Sequence, residues 1–128
     1  MKRFILALTM LVAMIATASA QAEIKFDKVT HNFGNFSEKT PVQKTTFTFT
    51  NVGDKPLVIN QAIASCGCTV PAYTKTPIAP GQKGQITVTY NGKGMFAGHF
   101  KKSITVRTNG NVEMTRLYIE GVMTEEKQ

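Results

Sequence analysis

Two cysteines are the residues of this 128-residue chain whose type and spacing allow chemistry: Cys66 and Cys68 are separated only by Gly67. Thiols this close together can form a disulfide, exchange with other thiols, or supply two ligands to a metal ion. A disulfide between them closes a loop of three residues, and loop-closure entropy assigns such a bond only about 1.6 kcal/mol. Three interpretations therefore stay open: a structural or incidental disulfide or buried thiol pair, a thiol-redox site, and a metal site.

Other metal ligands are few and lie far from the cysteines in sequence. His31 precedes Cys66 by 35 residues and His99 follows Cys68 by 31, which matches no zinc-finger spacing. The methionines that would suit copper(I) are scattered, at Met95, Met114 and Met123. The sequence contains no G-x-S-x-G elbow and no phosphate-binding glycine loop. We therefore predict no catalytic residues, no cofactor and no metal ligands, and we take Cys66 and Cys68 as the candidate disulfide or redox thiols.

The first twenty residues have the pattern of a secretory signal peptide. Lys2 and Arg3 form a basic start, residues 4–16 are apolar, and Ala18-Ser19-Ala20 is a small-x-small cleavage site. The apolar run is too short to span a bilayer, and no cysteine at the junction could carry a lipid anchor. We expect residues 1–20 to be removed and the protein to be exported, to the periplasm or outside the cell, without a lipid anchor or a transmembrane segment.

The charge of the chain is positive but dispersed. The full sequence has 15 basic and 8 acidic side chains, a net charge of +7, which becomes +5 without residues 1–20. Lysines predominate, and Lys101 and Lys102 are the only adjacent pair beyond residue 20. Nucleic-acid binders usually cluster arginine on one face, so nucleic acid is not the expected partner. We expect an unknown protein or another component of the cell envelope; the oligomeric state is not indicated.

Composition and periodicity predict an all-β domain. Residues 21–128 contain nine Val and seven Ile but two Leu, a bias that favours strands over helices. Apolar and polar residues alternate in five segments, at residues 44–51, 57–60, 85–91, 102–108 and 116–120. Two further apolar segments, near Ile24 and Phe33, bring the count to about seven short strands. This number of short strands predicts an antiparallel β-sandwich. Pro80-Gly81 predicts a tight turn, and Asn109-Gly110 predicts a two-residue hairpin before the last strand.

These strands carry a family resemblance, which covers nearly the whole chain after residue 20, roughly residues 23–122. The strings that carry it are Ala64-Ser65-Cys66-Gly67-Cys68-Thr69, Pro77-Ile78-Ala79-Pro80-Gly81, Ile86-Thr87-Val88-Thr89-Tyr90-Asn91 and residues 102–109. They resemble an uncharacterised bacterial domain-of-unknown-function family of exported proteins, in the wider Hydin-like (ASH) immunoglobulin-like superfamily. The resemblance implies a seven-stranded immunoglobulin-like sandwich, similar in shape to major sperm protein and pilus-chaperone domains, with no known enzymatic activity. It supplies no functional residues beyond placing Cys66 and Cys68 in the motif.

Together these observations predict one immunoglobulin-like domain over residues 21–123, followed by a flexible tail at 124–128. We expect a non-catalytic binding or structural module that acts through protein–protein contacts in the cell envelope. Its edge strands are candidates for pairing with a strand of the partner. The alternative is a thiol-redox or metal-handling protein that uses the Cys66-Gly67-Cys68 pair.

Overall fold

The structure is a computed structural model that describes residues 21–126. The predicted signal peptide, residues 1–20, and the last two residues of the predicted tail lie outside the described residues. Eight strands form in the described range: β1 (Ile24–Phe26), β2 (Thr30–Ser37), β3 (Val42–Asn51), β4 (Ile59–Ala64), β5 (Thr69–Tyr73), β6 (Lys83–Asn91), β7 (Gly98–Thr108) and β8 (Met114–Thr124). Residues 21–126 contain no helix long and apolar enough to cross a membrane.

The strands form two four-stranded sheets, in the orders β1-β3-β6-β5 and β2-β8-β7-β4. Alternate residues of each strand point between the sheets, as the period-two pattern predicts. Phe47 and Phe49 of β3 are fully buried, and so are Ile104 of β7 and Leu117 of β8. The predicted all-β sandwich is confirmed. One pair departs from the antiparallel pattern, because β2 runs parallel to β8.

The strand count is eight rather than about seven, because the sequence did not predict β5. Pro71 lies in the middle of β5, and a proline argues against a central strand. β5 is an edge strand, and Pro71 is placed where its missing N–H is not needed for pairing with β6.

At the other end of the chain, β8 extends through Thr124, whose carbonyl accepts a hydrogen bond from Glu38 N–H at 2.9 Å. Strand pairing therefore includes the first residue of the predicted tail.

The predicted two-residue hairpin at Asn109-Gly110 is wrong. Residues 109–113 connect β7 to β8, and neither Asn109 nor Gly110 has a positive φ. The Asn109 side chain instead accepts a hydrogen bond from Val58 N–H (2.9 Å) and donates one to Pro56 O (3.1 Å). A Cβ on Gly110 would lie 2.8 Å from Ala22 O, so glycine is needed there for close approach of two backbones. The Pro80-Gly81 turn forms as predicted, with Gly81 at φ 83°.

The N-terminal strand segment changes sheets. β1 pairs with the second half of β3, and Asp27 N–H donates to Thr48 O at 3.0 Å. Residues 27–29 then cross to the other sheet, where Tyr118 N–H donates to Val29 O at 2.8 Å and β2 begins beside β8. Because β1 ends before this crossing, it does not lie beside the first half of β3.

Asn51, at the end of β3, is fully buried and forms four hydrogen bonds. Its Nδ2 donates to Lys55 O (2.7 Å) and Ile78 O (2.9 Å), and its Oδ1 accepts from Glu23 N–H (3.3 Å) and Gly53 N–H (2.9 Å). A buried amide is stable only when its polar atoms have such partners. Asn51 thereby joins the end of β3 to the residue before β1 and to the loops that contain Lys55 and Ile78.

Candidate functional site

The first half of β3 forms part of the edge of its sheet. Gly92 N–H donates to Pro41 O at 2.9 Å, and Asn51 N–H donates to Gln82 O at 2.9 Å. Both bonds fit the antiparallel register of β3 with β6, and hydrogen-bonded pairs alternate along such a ladder. The odd-numbered residues of β3 therefore bond to β6, and the backbone groups of the even-numbered residues point to the opposite side.

In the described part of the chain, three even-numbered residues of β3 have no strand beside them on the side away from β6. The ladder between β1 and β3 ends at the Asp27–Thr48 bond. Beyond it, Val42, Lys44 and Thr46 have no backbone partner on that side among residues 21–126. We call these three residues the open β3 edge. It presents three N–H donors and three C=O acceptors along about 13 Å of regular strand.

Ring side chains lie on the inner face of β2, which is the edge of the other sheet on the same side of the sandwich. His31 and Phe33 have ring centroids 4.8 Å apart, and Phe33 and Phe36 are 6.4 Å apart, all edge to face. We call these three residues the aromatic row. Each is half-buried, and Phe36 continues into the core through Tyr90 (6.4 Å) and Phe100 (5.9 Å). The row thus lines the sandwich on the side where β3 is uncovered.

His31 is the titratable member of the aromatic row. Burial lowers the pKa of His31, and the charge of Lys28, whose Nζ lies 2.8 Å from His31 Nδ1, lowers this pKa further. The imidazole is therefore neutral near pH 7 and accepts a hydrogen bond from Lys28 at Nδ1. The three rings of the row are therefore uncharged at this pH.

The edge formed by β5 is blocked against strand addition. Asn91 N–H donates to Cys68 O at 2.8 Å, so the even-numbered residues of β5 pair with β6 and the odd-numbered ones point outward. Of these, Thr69 already donates its N–H to Cys66 O at 3.1 Å, and Pro71 has no N–H. Only Tyr73 offers an outward donor, which leaves no continuous row for a partner strand.

The other two edges are irregular. The pairing of β2 with β8 shifts between Asn32 and Asn35, where Gly34 has a φ of 72°. The pairing of β4 with β7 shifts between Ile59 and Gln61. Bulges of this kind twist an edge and protect it from added strands. The open β3 edge has no register shift and no proline.

The predicted site residues Cys66 and Cys68 are joined by a disulfide in the turn between β4 and β5. We call residues 66–69 the disulfide turn. It connects the edge strands of the two sheets, on the side opposite the open β3 edge. Both sulfur-bearing residues are half-buried, and Gly67 between them is exposed.

Backbone hydrogen bonds hold the disulfide turn on both sides. Ser65 N–H donates to Ser103 O at 2.9 Å before the turn, and Asn91 N–H donates to Cys68 O at 2.8 Å after it. The turn itself is closed by the Thr69 N–H bond to Cys66 O. These backbone hydrogen bonds therefore hold the disulfide turn in its conformation in addition to the sulfur–sulfur bond.

The two cysteines differ in their surroundings. Cys68 packs against the hydrophobic core and its Sγ lies 3.5 Å from Oγ1 of Thr69, a residue only 3 % exposed. Cys66 is not among the residues packed on the core. Among residues 21–126 no other cysteine occurs, and no group of three or more His, Cys, Asp or Glu side chains is placed to hold a metal ion.

The histidines weighed as ligands lie apart from the disulfide turn in the fold. His31 belongs to the aromatic row at the opposite edge. His99 lies in β7 with its Nε2 3.9 Å from Glu120 Oε2 on a partly exposed face. The structure thus joins the two cysteines and leaves both histidines elsewhere.

The open β3 edge was not predicted from the sequence. The alternating Thr and Phe residues of β3 indicate a strand, but they do not show how far its neighbour extends. The available signal was the shortness of the apolar segment around Ile24, followed by Asp27 and a second segment around Phe33. Such a break is consistent with an edge strand that changes sheets.

Residues 24–123 match the family described as Protein of unknown function (DUF1573), and the chain belongs to this family. The predicted resemblance to a bacterial family of unknown function is thereby confirmed. No curated protein matches the sequence.

Solved structures share the fold at low sequence identity. A protein of unknown function from Porphyromonas gingivalis W83 has a TM-score of 0.73 and 16% identity, over 87% of this chain and 51% of that one, so this chain spans about half its length. The ASH / PapD-like domain 7 of human CEP192 has a TM-score of 0.62 and 9% identity, over 95% and 99% of the two chains. The YadV chaperone has a TM-score of 0.58 and 12% identity, over 82% and 54%. These likenesses confirm the immunoglobulin-like fold.

A protease also shares the fold in part. VesB of Vibrio cholerae has a TM-score of 0.58 and 14% identity, over 78% of this chain and 31% of that one. The likeness covers less than a third of that protein, and fold alone does not transfer an activity. Of the four structures named here, one is an ASH / PapD-like domain and one is a chaperone.

Proposed function

We propose that this chain is an exported, non-catalytic binding module that receives an extended segment of a partner protein at the open β3 edge. The observation that carries the proposal is an uninterrupted row of backbone groups at Val42, Lys44 and Thr46 that have no partner within residues 21–126 on that side of β3, next to the half-buried aromatic row of β2. An exposed edge of this kind is a template for strand addition. The basic, apolar and small-residue pattern of residues 1–20 supports export.

The incoming strand would continue the direction of β1, antiparallel to β3. In that register it exchanges up to six hydrogen bonds with the open β3 edge, and its inward side chains lie opposite Gln43 and Thr45, toward the aromatic row. Each hydrogen bond contributes about 1 kcal/mol net, whereas association costs about 4 kcal/mol or more. The backbone bonds alone are therefore too weak for stable binding, and apolar side chains on the aromatic row must supply the remainder.

The charge of the edge favours an acidic partner. Lys44 is exposed at the centre of the open β3 edge, and the chain carries a net charge of +5 once residues 1–20 are removed. A second copy using all three positions would place Lys44 directly opposite Lys44 of the other copy, and like charges in that position are destabilising. A strand with Glu or Asp opposite Lys44 gains instead an ion pair across the ladder.

Amide exchange tests this proposal with a defined probe. The probe is a seven-residue peptide with Val at alternate positions and Glu between them, titrated into the protein and followed by NMR. We expect the amides of Val42, Lys44 and Thr46 to exchange rapidly in the free protein and to become protected with the peptide, while those of Gln43 and Thr45 are protected in both states. Binding without this alternation, protection at β4 or β5 instead, or no binding at millimolar peptide would contradict the proposal.

A charge reversal with a matched control tests the partner's chemistry. Lys44→Glu should weaken binding of the Glu-containing peptide and strengthen binding of a peptide with Lys at the same positions. Lys83→Glu is the control, since Lys83 lies on the outer face of β6 beside Thr50 and changes the net charge equally. Equal effects of the two variants would show that only the total charge matters. Concentration-dependent dimerisation at high salt, where repulsion between the two Lys44 side chains is screened, would instead assign the edge to a second copy if it were lost in Lys44→Pro.

Export is tested separately, by the mass of the protein recovered from fractionated cells. Cleavage after Ala20 should leave Gln21 as the first residue of the protein outside the cytoplasm. An intact N-terminus on protein found only in the cytoplasm would contradict export.

A further inference from the structure

The disulfide turn can lose its sulfur–sulfur bond without losing its place in the fold. The Ser65–Ser103 and Asn91–Cys68 backbone bonds fix the chain on either side of the turn. A bond across a loop of three residues also restricts the unfolded chain very little. Opening this disulfide therefore has few structural consequences, in contrast to a disulfide that closes a long loop.

The two sulfur atoms are suited to different roles in thiol–disulfide exchange. Cys66 lies outside the core-packed set and is half-buried beside exposed Gly67, so it is the sulfur that an incoming thiolate reaches. Cys68 packs inward, next to the hydroxyl of Thr69 at 3.5 Å. Cys66 Sγ accepts a hydrogen bond from Cys68 N–H at 3.1 Å, and the Thr69 hydroxyl can donate to a thiolate on Cys68, which lowers the pKa of that leaving thiol. Each sulfur therefore has a donor, and it is the difference in packing that selects Cys66 as the attacked sulfur.

We infer that the Cys66–Cys68 pair is a thiol–disulfide exchange site that accepts electrons from a dithiol of a partner protein. A partner thiolate attacks Cys66 Sγ, a partner–Cys66 disulfide forms, the Cys66–Cys68 bond breaks, and the electron pair leaves on Cys68 Sγ. The second partner thiol, as its thiolate, then attacks the partner sulfur of the mixed disulfide and releases Cys66. The partner becomes a disulfide, and its two electrons and two protons end on Cys66 and Cys68 as thiols.

Reduction of the native protein is the first test, with dithiothreitol as the probe dithiol. Thiols are counted by alkylation and mass spectrometry while near-ultraviolet circular dichroism follows the fold. We expect two thiols per chain to appear with the native spectrum retained, and the melting temperature of a Cys66→Ser/Cys68→Ser variant to fall by about 10 °C or less. Thiols that appear only together with unfolding would overturn the inference.

Single-cysteine variants test the assignment of roles, with glutathione disulfide as the probe. Cys68→Ser leaves Cys66 as the thiol, and Cys66→Ser leaves Cys68. At equal thiolate fraction, determined from the pH dependence of alkylation, Cys66 should form the mixed disulfide about tenfold faster, because Cys68 packs on the core. Equal rates or a faster Cys68 would overturn the assignment of Cys66 as the attacked sulfur.

Thr69→Val tests the role of the hydroxyl, because valine keeps the shape of threonine and removes its donor. We expect reduction by dithiothreitol to slow on the order of threefold and the pKa of Cys68 in the Cys66→Ser background to rise. Thr105→Val, at a half-buried position of β7, is the control and should change neither. An unchanged rate and pKa in folded Thr69→Val would show that Thr69 does not act on the leaving sulfur.

Discussion

Proline substitutions at adjacent positions of β3 give opposite expectations if the open β3 edge is assigned correctly. Proline removes a backbone N–H and fixes φ near −65°. At Lys44 the N–H points away from β6 and has no backbone partner among the described residues, whereas at Thr45 it belongs to the ladder with Val88. Lys44→Pro should therefore leave the β3–β6 ladder intact, and Thr45→Pro should break it.

The difference in stability follows from the bonds involved. Thr45→Pro leaves the carbonyl of Val88, a fully buried residue, without its donor, and proline inside a sheet costs about 3 kcal/mol or more. Lys44→Pro breaks no such bond, and its strain amounts to about 1 kcal/mol. A gap of about 2 kcal/mol corresponds to roughly 10 °C in melting temperature for a domain of this size.

Thermal unfolding followed by circular dichroism measures this gap directly. Lys44→Pro should melt near the wild-type temperature and Thr45→Pro well below it. In the peptide titration, Lys44→Pro should also abolish binding, because it removes the central donor of the edge. Equal destabilisation by the two prolines, or a larger loss for Lys44→Pro, would refute the assignment of which backbone groups are free.

Two further perturbations have expected outcomes of their own. Asn51→Ala removes four hydrogen bonds at a fully buried position, so chemical denaturation should show a loss of about 3 kcal/mol, and a loss below 1 kcal/mol would contradict this role. Burial, and then the charge of Lys28, lower the pKa of His31 in the folded protein below its value in the unfolded chain. The unfolded chain therefore takes up a proton on His31 more readily than the folded protein does, and the free energy of unfolding should fall as the pH drops from about 6.5. His31→Gln should reduce that fall, and unchanged pH dependence of the melting temperature would contradict it.

The sequence predicts the central strands well because each of them buries one face. In β3 and β6, apolar and polar residues alternate without interruption, and the buried set includes the predicted Phe47, Phe49, Ile86 and Val88. Burial of alternate residues imposes this pattern directly. The fold class could therefore be derived from the chain alone.

Features that depend on pairing partners could not be derived in this way. The sequence does not predict β5, because Pro71 lies at its centre and the local residue pattern does not distinguish an edge strand from a loop. Asn109-Gly110 predicts a tight hairpin, but the Asn109 side chain binds backbone near β4, 53 residues away at Pro56. The cysteine pair was visible from its spacing, whereas the inward placement of Cys68 beside Thr69 required the structure.

The open β3 edge is a necessary consequence of the way the N-terminal segment is shared between the two sheets. A strand can pair laterally with only one sheet at a time, and the segment leaves β3 at Asp27 in order to run beside β8 as β2. If it stayed in the first sheet, it would cover Val42–Thr46 and leave the core open at β8. By changing sheets it places Phe33 and Phe36 on the core and uncovers the start of β3. The open β3 edge, unpaired within residues 21–126, and the aromatic row therefore arise from the same crossing, and the proposed incoming strand would contact both.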